Sequence, residues 1–363
     1  MIDATMTKRM EEATRLTRAG RLHEAMALLQ GGEPEVRRED APNSAYRGGH
    51  TFDGTWQVID KEDTVTKPAS EAPPSAGAFT AGSFSNRVGT RDYKLYIPSG
   101  YHGQALPLVV MLHGCTQNPD DFAAGTDMNR LAEEQLCCVL YPAQPTTANN
   151  SKCWNWFKAE DQQREGGEPA IIVGMIRKII DTHGLDKSRI YVAGLSAGAA
   201  MATTLAMTYP DLFAAVGIHS GLPHGVAQSL PDALGAMQGG TGPLSGGKAK
   251  GTGWESQVPA IIFHGDRDTT VHPSNADRVA AQFSISRQAG ATVVQGKVAQ
   301  GRGYTCTTHR DASGKPCLEQ WRIHGAGHAW SGGKQKGSYT DPQGPDATRE
   351  MLRFFFQHRQ IVS

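Results

Sequence analysis

Apolar runs of strand length that break at small turn residues constrain this chain more than any other feature. LPLVVMLHG (Leu106 to Gly114), CCVLYP (Cys137 to Pro142), RIYVAGLS (Arg189 to Ser196), FAAVGIHSG (Phe213 to Gly221) and VPAIIFHGD (Val258 to Asp266) share the form. A run that is apolar at nearly every position, rather than at alternate ones, suits a strand covered on both faces, as parallel strands are. RDYKLYIP (Arg91 to Pro98) alternates instead and reads as a half-buried strand. Helix-length segments separate the runs. In Glu168 to His183, Ile171, Ile172, Met175, Ile176, Ile179 and Ile180 fall on one helical face. Asp346 to His358 reads as a closing helix. Strands alternating with helices predict an α/β class and a doubly wound, mostly parallel sheet, with any site at the strands' carboxyl ends.

Composition divides the chain into three. In residues 1–30, Met6, Met10 and Ala13, then Leu22, Ala25, Met26 and Leu29, recur at helical spacing around a turn at Ala19-Gly20. This predicts a short N-terminal helical hairpin, an amphipathic appendage or the contact of a homodimer. Residues 31–77 are rich in Pro, Gly, Ser and mixed charge, the composition of a linker or extended segment. Residues 78–363 hold the strand and helix pattern of the α/β domain. The 36 basic and 36 acidic residues cancel, so the charge balance predicts no nucleic-acid partner. No apolar run approaches the roughly 18 residues of a membrane span, and no membrane partner is expected. Charges interrupt MIDATMTKRMEEATRLTRAG every few residues, unlike an export signal. The expected compartment is the cytoplasm, with export by another route left open. None of the six cysteines lies in a C-x-x-C pair, and neither a metal nor an organic cofactor is expected.

The chemistry centres on Gly194-Leu195-Ser196-Ala197-Gly198, which follows the strand-like IYVA and precedes the Ala-rich helical run AAMATTLAMTY. Strand, tight turn and helix are the context that presents a nucleophilic serine. A serine hydroxyl needs a base to take its proton and an acid to orient that base. In this type of sheet the order along the chain is serine, acid, histidine. Asp268, past the strand at Val258 to Phe263, is the predicted acid, and Asp266 is the alternative. Of the histidines that follow, His328 sits in the loop GAGHAW just beyond the strand-like EQWRIHG and is the predicted base. The backbone N–H groups of Ala197 and Cys115 are the predicted oxyanion donors. His113 is read as support for the Cys115 loop. Trp154, Trp156 and Trp330 are expected on the pocket wall, and the Gly-rich stretch from Gly239 to Gly253 near the site or in a surface insertion.

With these residues in hand, the chain resembles the catalytic domains of the polyhydroxybutyrate (PHB) depolymerase-family esterases, the short-chain polyhydroxyalkanoate depolymerases. The resemblance rests on LHGCTQNPDDF around Leu112, CWNWF at Cys153 to Phe157, GLSAG at Ser196, FHGDRDTTVHP around Asp268 and GAGHAWSGG around His328. It implies an α/β-hydrolase fold, a Ser196–Asp268–His328 triad and a polyester or oligoester substrate, and it spans roughly Phe79 to His358. Secreted polymer-degrading members add a signal peptide and a separate substrate-binding domain. Neither is expected here, so soluble oligomers or short esters are expected over crystalline polymer. The positions of Cys115 and Cys153 in two family motifs suggest a disulfide bracing the oxyanion loop. Cys306 and Cys317 flank a DASG turn and could cross-link a hairpin if register allows. Feruloyl, acetylxylan and general carboxylesterases share much of the pattern. A polyaspartate-cleaving amidase and an inactive scaffold acting as an interaction module complete the alternatives.

Overall fold

An antiparallel hairpin, β1 (Ala78–Asn86) and β2 (Gly89–Ile97), opens the part of the chain that the computed structural model describes, which is residues 77–239, 255–283 and 290–361. The expected helical hairpin at residues 1–30, the linker to residue 76 and Gly-rich residues 240–253 lie outside the described residues. The apolar runs then become strands buried along their whole length: β3 (Leu108–Leu112), β4 (Cys138–Pro142), β5 (Ile190–Leu195), β6 (Ala215–His219) and β7 (Ala260–Gly265). Three more strands, β8 (Ala291–Lys297), β9 (Gly303–Arg310) and β10 (Pro316–Ile323), complete a ten-stranded sheet. A short parallel pair, β11 (Trp330–Ser331) and β12 (Thr340–Asp341), follows.

The order across the sheet is β1-β2-β4-β3-β5-β6-β7-β10-β9-β8. Its centre, from β4 through β10, is parallel, and both margins are antiparallel. Alternation along each central strand explains the continuous apolar runs. Leu108, Val110 and Leu112 enter one hydrophobic core, while Val109 and Met111 enter another on the opposite face. Ile190 and Val192 against Tyr191 and Ala193 repeat the division, as do Ala260 and Ile262 against Ile261 and Phe263. Truncating such a fully buried residue, Ile262 for example, to alanine costs about 2–5 kcal/mol.

Helices cover both faces. On one lie α1 (Pro119–Thr126), α2 (Met128–Gln135) and, after the last strand, the closing helix. On the other lie α3 (Gly167–His183), α4 (Ala197–Thr208), α5 (Leu230–Met237) and α6 (Ser274–Gln282). The closing helix is α7 (Ala347–Phe355), whose N-terminus the Asp346 side chain caps by accepting from the Arg349 N–H. A doubly wound sheet with its crossovers on both faces leaves the carboxyl ends of β5, β6, β7 and β10 side by side at one edge.

The expected Cys306–Cys317 cross-link is corrected here. The β9–β10 register sets Cys306 opposite Trp321, not opposite Cys317, and the Cys317 thiol reaches the His309 carbonyl instead.

Candidate active site

Ser196 stands alone between β5 and α4 with φ 57° and ψ −118°, a combination a side chain adopts only under strain. Its N–H donates to the His219 carbonyl, 2.9 Å away, which fastens the turn to the end of β6. The flanking glycines are required sterically. A Cβ on Gly198 would sit 2.0 Å from the Leu112 carbonyl oxygen, and one on Gly194 would sit 2.4 Å from the Gly198 backbone. The helix that follows is buried at all its positions, and its many alanines let it press against the sheet. Ser196 is itself 8% exposed, and its hydroxyl does not cap the helix.

Asp268 lies three residues past β7. Its Oδ1 accepts from the Thr270 and Val271 N–H groups at 2.9 and 2.8 Å, which fixes the carboxylate plane. His328 Nδ1 donates to its Oδ2 at 2.7 Å. His264 Nε2 donates to the Val271 carbonyl at 2.8 Å and also faces Asp268 Oδ2 at 3.4 Å. Burial alone would push the Asp268 carboxyl up, but the hydrogen bonds of His264 and His328 outweigh it and hold it well below the usual carboxylate range. An ionised Asp268 therefore fixes the tautomer in which His328 Nδ1 carries the proton and Nε2 is left as an acceptor. No hydrogen bond among the described residues joins the Ser196 hydroxyl to His328, a contact that tightens when such sites fill. The alternative acid, Asp266, goes elsewhere: it accepts from His324 Nδ1 at 3.0 Å and from the Gly325 N–H at 2.7 Å.

His219, at the end of β6, has a role that sequence reasoning missed. Its Nε2 accepts from the Ser331 N–H at 3.0 Å, so the ring proton is on Nδ1, beside the Ser220 hydroxyl at 3.3 Å. The ring stacks between Phe263 and Trp330 at centroid distances of 5.8 and 5.1 Å. Burial, with His264 and His328 nearby, lowers it to about 3, so it stays neutral. His219 thus ties the serine turn to the segment just beyond His328. Its only signal in the sequence was a histidine ending an apolar run.

The loop after β3 supplies the other half of the site. His113 Nδ1 donates to the Gly114 carbonyl at 2.8 Å, and its Nε2 accepts from the Gln144 N–H at 3.1 Å. Burial lowers His113 to about 4, and with both nitrogens engaged it holds the loop rather than moving protons. Gly114 N–H donates to Gln117 Oε1 at 2.9 Å, and a disulfide joins Cys115 to Cys153. Cys115, Ser196 and Ala197 share a cavity of about 210 Å³ with Cys153, Trp156, Phe157 and the apolar side of α5.

Of the three tryptophans expected on its wall, Trp156 alone lines that cavity. Trp154 is fully buried and donates through Nε1 to the His113 carbonyl at 3.1 Å, bracing the loop from behind. Trp330 donates to Thr348 Oγ1 at 2.9 Å and meets Phe122 edge-on in the core. Both corrections have one cause, since nearness in sequence to Cys153 or His328 does not put an indole on the same side of the backbone. Among the described residues no group of three or more His, Cys, Asp or Glu side chains is arranged to hold a metal ion.

The family described as Esterase PHB depolymerase matches residues 91–303, more than half of the chain. The chain belongs to this family. Among curated relatives of this PHB-depolymerase-family chain, poly(3-hydroxyalkanoate) depolymerase C of Paucimonas lemoignei is 36% identical over 253 residues, covering 68% of this chain and 60% of that protein. A probable acetylxylan esterase A of Aspergillus fumigatus is 31% identical over 235 residues, 60% of this chain and 62% of that one. Feruloyl esterase B of Thermothelomyces thermophilus is 30% identical over 190 residues, covering 49% and 64%. The chain thus spans about 60% of the length of the curated relatives it matches. An acetyl xylan esterase from Aspergillus awamori superposes with a TM-score of 0.59 at 21% identity, over 76% of this chain and 99% of that one. At that identity the likeness speaks for the fold, which is that of the α/β hydrolases.

Proposed function

We propose that this chain is a serine esterase cleaving oligomeric or polymeric 3-hydroxyalkanoate esters. One observation carries the mechanism: a buried Asp268–His328 hydrogen bond beyond the neighbouring strands β7 and β10, and the strained Ser196 turn at the end of β5, with only β6 between β5 and β7. His328 Nε2 takes the Ser196 proton as the Ser196 oxygen bonds to the ester carbonyl carbon. The carbonyl π electrons move onto oxygen, where the Cys115 and Ala197 N–H groups stabilise them by about 3–4 kcal/mol per donor. Collapse breaks the bond to the alcohol oxygen, which leaves with the proton from His328. Water then attacks the acyl-enzyme by the same route, releasing the acid and restoring Ser196.

The substrate reading is supported by the 36% identity to a protein named as a poly(3-hydroxyalkanoate) depolymerase. The acetylxylan and feruloyl esterases at 31% and 30% favour a second reading, esters on plant cell-wall sugars. The deciding experiment compares a 3-hydroxybutyrate trimer, methyl ferulate, a PHB film and poly(aspartic acid), with wild type and Ser196→Ala. Trimer cleavage that disappears in the variant supports the proposal. Ser196-dependent turnover of ferulate or polyaspartate alone keeps the mechanism and replaces the substrate, and turnover retained by Ser196→Ala sinks both.

A disulfide beside the site suits an oxidising compartment, since cytosolic thiols are kept reduced. This favours export over the cytoplasm, and fractionation of cells producing the chain tests it. A homodimer is proposed, to be tested by light scattering on the full chain. No helix among the described residues is long and apolar enough to cross a membrane.

A further inference from the structure

We infer that the cavity beside Ser196 receives the acyl part of the substrate, and that Leu234 and Met237 of α5 set the acyl length it accepts. The inference rests on the serine-esterase reading above and adds which half of the ester goes where.

Acyl transfer fixes the orientation. The carbonyl oxygen must lie against the Cys115 and Ala197 N–H groups, and the leaving alcohol oxygen must lie against His328, which returns the proton to it. The acyl chain therefore extends away from His328. The cavity is lined by Cys115, Ser196 and Ala197, while His328 and Asp268 are not on its wall. The cavity thus adjoins the serine and the oxyanion donors but not the histidine, as the space for the acyl chain must.

Most of the wall suits an aliphatic chain, and Asn149, Asn150 and Ser151 add a polar part to it. Leu230, Leu234 and Met237 fall at i, i+4 and i+7 on α5, so one helical face lines the space. Trp156 and Phe157 stand in the same lining, edge to face at 5.6 Å. This wall is held at both ends. Ser229 caps the start of α5 through the Asp232 N–H, with proline in the first turn. At the other end the Met237 carbonyl accepts from His272 N–H at 2.7 Å, and the Ala236 carbonyl from Asn275 Nδ2 at 2.9 Å. His272 and Asn275 belong to the segment that runs on from Asp268. A wall pinned to the acid's own loop does not withdraw for a longer chain, so side-chain size on α5 sets the limit.

The test measures kcat/KM for p-nitrophenyl esters from acetate to octanoate, beside acetate esters of alcohols of rising length. Wild type is compared with Leu234→Ala, Met237→Ala and Met237→Phe. Leu234 is buried, so the part-exposed Met237 pair keeps the test open should Leu234→Ala fold poorly. We expect both alanine variants to raise the octanoate-to-butyrate ratio by about tenfold, the scale of adding or removing a methylene in an apolar pocket. Met237→Phe should lower it, and the alcohol series should not move. An alcohol series that moves while the acyl series stays flat overturns the assignment, as do unchanged profiles in folded variants. Loss of the underlying reading looks different: wild type then turns over no ester in a Ser196-dependent way, and both proposals fall together.

Discussion

Two aspartate–histidine pairs leave the same two strands, and they differ in almost everything except their chemistry. Asp266 and Asp268 both follow β7, and His324 and His328 both follow its parallel neighbour β10. Their hydrogen bonds are 3.0 and 2.7 Å long. The outer pair is wet, with side chains 33% and 45% exposed for Asp266 and His324, against 0% and 11% for Asp268 and His328. The outer histidine is also fully used, because its Nε2 meets Thr305 Oγ1 at 2.9 Å. His328 engages only Nδ1 among the described residues, which leaves a nitrogen for chemistry. A carboxylate beside an imidazole is therefore not a catalytic dyad by itself. Burial raises its electrostatic worth, and an unengaged ring nitrogen makes it useful.

The sharpest way to break this comparison is to neutralise the inner acid. Asp268→Asn keeps the shape but loses the charge that fixes the His328 tautomer and steadies its protonated form. We expect kcat to fall by about 10³–10⁴. Steady-state kinetics on a soluble ester read the effect, and a loss under tenfold would return the role of acid to Asp266. Reduction of the Cys115–Cys153 disulfide comes next. It closes a span of 38 residues, for which the chain-entropy account gives about 4 kcal/mol of stability. The reduced protein should melt at a markedly lower temperature and lose kcat as the Cys115 N–H loosens, while the outer pair on the far loop is untouched. An unchanged melting temperature with thiols verified by mass removes this bracing role.

Acid should also weaken the folded state through its buried histidines. Burial holds His219 at about 3 and His113, His224 and His358 at about 4, so the folded protein keeps them neutral. An unfolded chain takes up those protons below about pH 6.5. The histidines' share of the stability is therefore complete above that pH and drains away as pH falls toward 4, at about 1.4 kcal/mol per unit for each, against a smaller opposite share from Asp161, which burial and Glu168 raise to about 7. Urea midpoints at pH 7, 6 and 5 measure this slope, and a flat series contradicts it.

How much of this could be read beforehand depends on where the information resides. Strands β3 to β7 were legible because burial on both faces writes itself as a continuous apolar run. β8 was not, because Val293 and Val294 stand 58% and 52% exposed and no burial pattern marks them. The serine turn was legible because it needs glycine at Gly194 and Gly198, a local demand. The choice between Asp266 and Asp268 was harder, since both sit in one short loop and only the fold shows which carboxylate meets which imidazole. His219 and His264 were out of reach for the same reason: β6 and β7 bring them beside His328 and Asp268, and sheet adjacency leaves no trace in spacing. Trp330 was misread by treating two residues of sequence as two residues of space.

The smallest expected effect is also the one that most refines the contrast. Asp266 holds the start of the histidine loop through His324 and the Gly325 N–H, while Arg302 donates to the Gly325 carbonyl at 2.8 Å. Asp266→Asn keeps an acceptor for Gly325 N–H but loses the charge facing His324, an exposed interaction of the kind worth at most about 1 kcal/mol. The loop should stay in place, with kcat reduced by about threefold or less and KM unchanged. Salt separates the two pairs further. Raising ionic strength screens the charge of an exposed carboxylate and leaves a buried one's nearly untouched, so the small difference between wild type and Asp266→Asn should vanish at high salt, while the deficit of Asp268→Asn should persist. A salt-insensitive Asp266→Asn deficit would mean that this residue acts through geometry alone, and the contrast between the pairs would then rest on the free nitrogen of His328 rather than on burial.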